Sequence, residues 1–173
     1  IILLFEQPIR VGDIVTVDGT TGVVSRIQMR ATTITDWDRK ELVVPNKEFV
    51  TGRLLNWTLS DSMTRVQIVV GVAYGSDVRR ALELLVQAAE SNARVLKEPK
   101  PMVAFEAFEA SSLKLSLRAY LPNLENRLVT VTELHLAIDE SFRAAGIEIA
   151  FPQQDLHLRS VDPEAARRLV PVP

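Results

Sequence analysis

Two histidines, one run of carboxylates and a scatter of serines are the residues of this chain whose types could do chemistry. A metal centre needs several imidazoles or thiolates converging, whereas His135 and His157 stand alone in a sequence without cysteine. Asp36, Asp38 and Glu41 offer the oxygen donors of a hard-cation site. Arg39 and Lys40 sit among them, so the run reads as a solvated turn. No serine lies in a G-x-S-x-G elbow, and the 7 glycines spell neither a dinucleotide fingerprint nor a phosphate loop. His135 falls beside the apolar stripe of a helix and reads as partly buried with a local hydrogen bond; His157 reads as surface. No catalytic residue, metal ligand or cofactor is nominated. The polar residues that remain are Asn46 after Pro45, Asn56 before Trp57, and Gly75-Ser76-Asp77. They read as caps and turn formers, with subunit contact as a second role.

Composition narrows the class. The 173 residues are 47% hydrophobic and 24% charged, and a chain of this length buries roughly 70% of its unfolded surface, enough for one domain or two small ones. Twenty basic against 22 acidic residues leave a net charge of −2, so no global field draws the chain to nucleic acid or anionic lipid. No apolar run approaches the roughly 20 residues of a membrane helix, and Ile68 to Tyr74 fits a buried strand. The opening Ile1-Ile2-Leu3-Leu4-Phe5 has neither methionine nor a basic leader and reads as a cut through a longer protein. On composition alone it is a first core strand; the end of a membrane helix is the alternative.

The elements that must position these residues come in two rhythms. Asp13 to Val17 is β-branched, Asp18-Gly19 through Gly22 offers hairpin turn residues, and Val23, Ile27 and Met29 alternate with Arg26, Gln28 and Arg30. Thr32–Thr35 and Leu42–Val44 continue as strands, Asn46 is placed to cap one turn through Lys47 to Val50, and Leu54 to Trp57 resumes extended chain. Short strands at this density predict a small closed β-barrel, SH3-like or Sm-like. After Ser60-Asp61-Ser62, Thr64–Ala73 predicts a strand and Gly75-Ser76-Asp77 a turn into a helix with Val78, Ala81, Leu82, Leu85 and Ala89 on one face. Met102–Phe108 and Leu113–Leu121 predict a hairpin, and a second helix carries Val131, Leu134, Ile138 and Phe142, with Gly146 at its end. Its start is set either by the capping-box spacing of Thr130 and Glu133 or one turn earlier, at Asn126. Ile147–Ile149 and Asp155–Arg159 complete β-α-β-β-α-β, a ferredoxin-like order, so the class is α+β. For RNA, such a sheet needs stacking aromatics, and Leu113 to Arg118 offers leucines instead.

The stretches Pro8-Ile9-Arg10-Val11-Gly12-Asp13, Gly22-Val23-Val24, Arg30 to Ile34, Val43-Val44-Pro45-Asn46-Lys47 and Asn56-Trp57 resemble the β-domain of the small-conductance mechanosensitive channel (MscS-like) family. Gly71 to Asp77, Ala110-Ser111-Ser112, Ala145-Gly146-Ile147 and Phe151-Pro152-Gln153 resemble its cytoplasmic α/β domain. The order is collinear from about Leu4 to Arg159, and the Asp36-to-Glu41 turn resembles the large, potassium-dependent members. The resemblance implies the cytoplasmic vestibule of a homoheptameric bacterial inner-membrane channel. Such a channel opens under tension and passes ions and solutes on hypo-osmotic shock. It implies no enzyme activity and no nucleic-acid partner.

By the same resemblance residues 1–7, with Phe5, end the pore helix, which replaces the first-strand reading. Residues 8–62 form the β-barrel, 63–160 the ferredoxin-like unit and 161–173 a tail. Arg10 matches an arginine that pairs with an acidic membrane-domain loop. Asn46 matches an asparagine that faces the pore helix and affects inactivation, so Asn46→Ala is expected to alter inactivation with little loss of stability. Gly75, Ser76 and Asp77 remain turn or subunit-interface candidates. Glu109 departs from the glycine usual before Ala-Ser-Ser. The alternative reading is a soluble oligomeric binding or assembly module, with RNA as one candidate partner.

Overall fold

The computed structural model describes residues 9–157 and 159–160. Five strands come first: β1 (Ile14–Val17), β2 (Thr20–Ile27), β3 (Ala31–Asp36), β4 (Glu41–Pro45) and, after the short helix α1 (Asn46–Thr51), β5 (Leu55–Asn56). They form one antiparallel sheet in the order β4-β3-β2-β1-β5, the strand order of a small SH3- or Sm-like barrel. Alternation aims Val15, Val17, Val24, Ile34 and Val44 at a common core, which Ile9 and Phe49 of α1 complete.

Two details differ from the sequence pattern. A bulge between Val24 and Arg26 shifts the β2–β3 register, so Val24 rather than Val23 is the buried residue. Met29 then leaves the predicted face altogether and stands 88% exposed in the turn. Gly22 is not a turn residue: the turn is Asp18-Gly19, with φ of 47° and 80°. Gly22 lies within β2, where a Cβ would collide with the Thr35 carbonyl oxygen and come within 2.8 Å of Ile34 Cγ2.

The second unit contains β6 (Thr64–Val72), α2 (Val78–Ser91), β7 (Met102–Phe108), β8 (Leu113–Leu121) and α3 (Arg127–Ala144). Its sheet runs β6-β8-β7, fully antiparallel. The chain after α3 returns beside β6, with Ala73 N–H donating to Glu148 O and Ala150 N–H to Gly71 O. The predicted last strand is reduced to this one bridge, Val72 to Ile149, and residues 155–157 adopt no strand. The ferredoxin-like order survives with its fourth strand at the edge. Both helices cover one face, packing Leu84, Leu85, Leu134, Ile138 and Phe142 on Val66, Ile68, Leu115 and Leu117. Gly146, at φ 68°, ends α3 as expected.

The helix begins at Arg127, the earlier of the two predicted starts. The capping-box pair does not form: Thr130 Oγ1 bonds Asn126 O inside the helix, while Glu133 holds Asn92 and Arg94. Among the described residues no helix is long and apolar enough to cross a membrane.

Candidate functional site

The polar residues converge at one end of the barrel. Pro45 closes β4 and starts α1 at Asn46, whose main-chain N–H donates to Arg30 O at 2.9 Å. Its side-chain amide donates from Nδ2 to Gln28 O (2.8 Å) and Met29 O (3.2 Å), and its Oδ1 accepts from Thr32 Oγ1 (2.9 Å). Asn46 is therefore a clamp on the β2–β3 turn and not the predicted cap, which falls to Pro45 without a side-chain bond. Thr32 is fully buried, and truncating Asn46 would leave its hydroxyl without the amide acceptor. The expected small effect of Asn46→Ala on stability does not fit that geometry.

Arg10 lies at the same end of the barrel, in the turn that enters β1. Its side chain is exposed, and its main-chain N–H donates to Asp13 Oδ2 at 2.9 Å. Gly12 takes φ 96° so that its N–H reaches Val24 O, while Val24 N–H returns to Asp13 O. The Asp13 carboxylate also accepts from Asn56 Nδ2 (2.8 Å) and Thr58 Oγ1 (3.3 Å), and Thr58 Oγ1 accepts from Ile14 N–H (3.0 Å). This knot of Asp13, Asn56 and Thr58 ties the Arg10 turn to the end of β5. Sequence reasoning missed Asp13 and Thr58. Their signal is an acid at the head of a strand with an amide and a hydroxyl two residues apart far downstream. Phe5, the third expected coupling residue, lies outside the described residues.

The remaining candidates sit in the second unit. Gly75 has φ 89°, Ser76 N–H closes a turn onto Ala73 O, and Asp77 caps α2 by accepting from Arg80 N–H at 3.0 Å. Their turn and cap roles are thereby explained locally. Glu109 opens the β7–β8 turn, where its N–H donates to Ser112 O and its carboxylate takes bonds from Ser112 Oγ and Lys114. Tyr74 donates its hydroxyl to Glu109 O at 2.6 Å.

The sheet face turned away from the helices shows Arg65, Gln67, Lys114, Arg118 and Tyr120, not leucines. Leu113, Leu115 and Leu117 point into the core, so the strand offers one tyrosine where the sequence reading counted none. On this face Glu106 accepts from Arg118 Nη2 at 3.0 Å. Its carboxyl is held below the usual range by the Ser116 hydroxyl, then by the charges of Arg118 and Lys114. Glu133 is lowered likewise by the Asn92 amide and then Arg94.

His135 is exposed rather than partly buried, because it lies one residue past Leu134 on the solvent side of α3. His157 is exposed. Asp36 Oδ1 accepts from the N–H groups of Asp38 and Lys40, and Lys40 Nζ lies 2.7 Å from Asp38, so these carboxylates build their own turn. Among the described residues no group of three or more His, Cys, Asp or Glu is placed to hold a metal ion.

Comparison with known proteins gives two family matches in order along the chain: the mechanosensitive ion channel β-domain over residues 1–59 and the mechanosensitive ion channel MscS C-terminal region over residues 66–149. The chain is 51% identical over 160 residues to the mechanosensitive channel MscK of Escherichia coli, covering 92% of this chain and 14% of that protein. It is 49% identical over 162 residues to an uncharacterised MscS family protein of Haemophilus influenzae, covering 94% of this chain and 15% of that one. The miniconductance channel MscM of Escherichia coli is 40% identical over 162 residues, with 94% and 15% covered. The chain thus spans about one seventh of the length of these relatives. Among solved structures, the closed-state MscS of Helicobacter pylori superposes with a TM-score of 0.84 at 24% identity, over 92% of this chain and 63% of that one, which shows the shared fold.

Proposed function

The chain belongs to the MscS-type mechanosensitive ion channel family, and from that premise we propose that it is the cytoplasmic vestibule of a tension-gated channel. The full protein opens under bilayer tension in a bacterial inner membrane and releases solutes on hypo-osmotic shock. The observation that carries this reading is collinearity: both family regions match in order, and the same stretch is half identical to a channel protein. The chain is a wall of a conduit and not a catalyst. Tension can shift a gate only when closed and open states interact differently with the bilayer, so the water-facing part contributes a rigid ring and a coupling surface to the gate. Charged side chains on its inner surface then act on the permeating ions.

Within this reading residues 1–7 end the pore helix, 8–62 and 63–160 are the barrel and ferredoxin-like units, and 161–173 are a tail. The copies assemble as a homoheptamer. Arg10, exposed at the entry turn, pairs with an acidic loop of the membrane domain, and Asn46 transmits pore-helix motion to the β2–β3 turn it clamps. Gly75, Ser76 and Asp77 lie at subunit contacts. The 51% identity to MscK supports the large, potassium-dependent subgroup. Light scattering on the full-length protein tests the assembly: a ring of seven copies is expected, and a strict monomer overturns the proposal.

A further inference from the structure

The near-zero net charge of the chain hides a local separation along the barrel. The turn at residues 28–30, the α1 start at Asn46 and the entry turn at 10–13 all lie at one set of strand ends, joined by Asn46 to Gln28, Met29 and Arg30 and by Gly12 to Val24. This end presents Arg10, Arg26, Arg30 and Lys47, all exposed, and none of them is in an ion pair among the described residues. Of the acids here, Asp13 is buried and bonded within the knot, and Glu48 is exposed. The opposite end carries Asp18, Asp36, Asp38 and Glu41 against Arg39 and Lys40, the latter bound by Asp38, so acids outnumber bases there.

At the cationic end stand two apolar side chains that a solvated rim has no use for. Met29 is 88% exposed and Val11 63% exposed. Met29 is held at the tip because Asn46 bonds its carbonyl. Unpaired cations around an exposed apolar tip are the composition of a headgroup contact, where the charges meet phosphate and the apolar group enters the acyl boundary.

We propose that this rim docks on anionic lipid headgroups, with Arg26, Arg30 and Lys47 on the phosphates and Met29 and Val11 as the apolar contact, Arg10 being taken by the acidic loop. The inference rests on the vestibule reading, which turns this end of the barrel toward the bilayer. The attraction is screened within about 8 Å at physiological salt, so contact is needed for it to act.

The test is binding of the intact chain to phosphatidylcholine vesicles with and without phosphatidylglycerol. The apolar stretch Ile1 to Phe5 contributes to both and cancels in the comparison. Binding is expected to rise with phosphatidylglycerol and to fall at high salt. R30Q and K47Q should each lower it about fivefold, while R39Q/K40Q at the opposite end leaves it unchanged. Equal binding to both vesicles, or equal loss from R39Q/K40Q, overturns the proposal. So does displacement by poly(U) RNA, or by millimolar inorganic phosphate beyond chloride of the same ionic strength. Tension-gated currents from the full-length protein that persist without any phosphatidylglycerol preference reject the lipid contact alone. Absent currents with the preference intact reject the channel reading alone.

Discussion

Replacing Asn46 by alanine isolates the clamp on the β2–β3 turn of the barrel. The substitution removes the acceptor of the buried Thr32 hydroxyl and the donor to the carbonyls of Gln28 and Met29. A buried hydroxyl left unpaired costs about 1–3 kcal/mol, and water can serve the two turn carbonyls, so the total comes to about 2 kcal/mol. Both tryptophans, Trp37 in the β3–β4 turn and Trp57 after β5, belong to the barrel, so tryptophan fluorescence in urea reports this unit alone. With a slope of about 1 kcal/mol/M for so small a unit, the midpoint should fall by about 2 M. Thr32→Val in the Asn46→Ala background should then cost about 1 kcal/mol less than in the native chain, because the partner is already gone. A midpoint unchanged by Asn46→Ala, or strictly additive single and double variants, would refute the clamp.

Other consequences are as direct. Gly22→Ala places a methyl against the Thr35 carbonyl and Ile34, and should destabilise the barrel by about 3 kcal/mol in the same urea assay. Asp13→Ala unties the bonds to Arg10 N–H, Asn56 and Thr58 and should cost about 2–4 kcal/mol, again read by tryptophan fluorescence. Asp77→Ala removes the α2 cap and should lower stability by about 1 kcal/mol, measured by far-ultraviolet circular dichroism. Glu106 and Glu133 are both held below the ordinary 4.5 in the fold, so their contribution is present above pH 4.5 and is lost as pH falls through the lowered values. Glu106→Gln should flatten the acid limb of the stability profile of the second unit below pH 4.5, and an unchanged limb would count against the Arg118 contact.

The two rhythms of the sequence gave away the architecture because strand and helix periods are local. Alternation marked β1, β6 and β8, and the stripe of Leu134, Ile138 and Phe142 marked α3. The face of β2 was not legible, since one bulged residue after Val24 inverts the alternation that follows. The last strand looked regular in sequence, yet among the described residues only the stretch near Ile149 finds an edge to pair with. The end of the barrel that holds Asn46 and Asp13 was the least legible part. Asn46 bonds residues 14 to 18 positions upstream, and Asp13 meets Thr58 across 45 positions, so no window of sequence holds both partners. Resemblance placed Arg10 and Asn46 in a coupling role, but the bonds that turn Asn46 from a cap into a clamp belong to tertiary structure alone.

Pressure applied to membrane patches containing the full-length protein reads the gate itself. Current should switch on with suction in the native protein and decay at a different rate under sustained pressure in Asn46→Ala. Patches that hold the protein yet stay silent up to the lytic tension would contradict the channel reading.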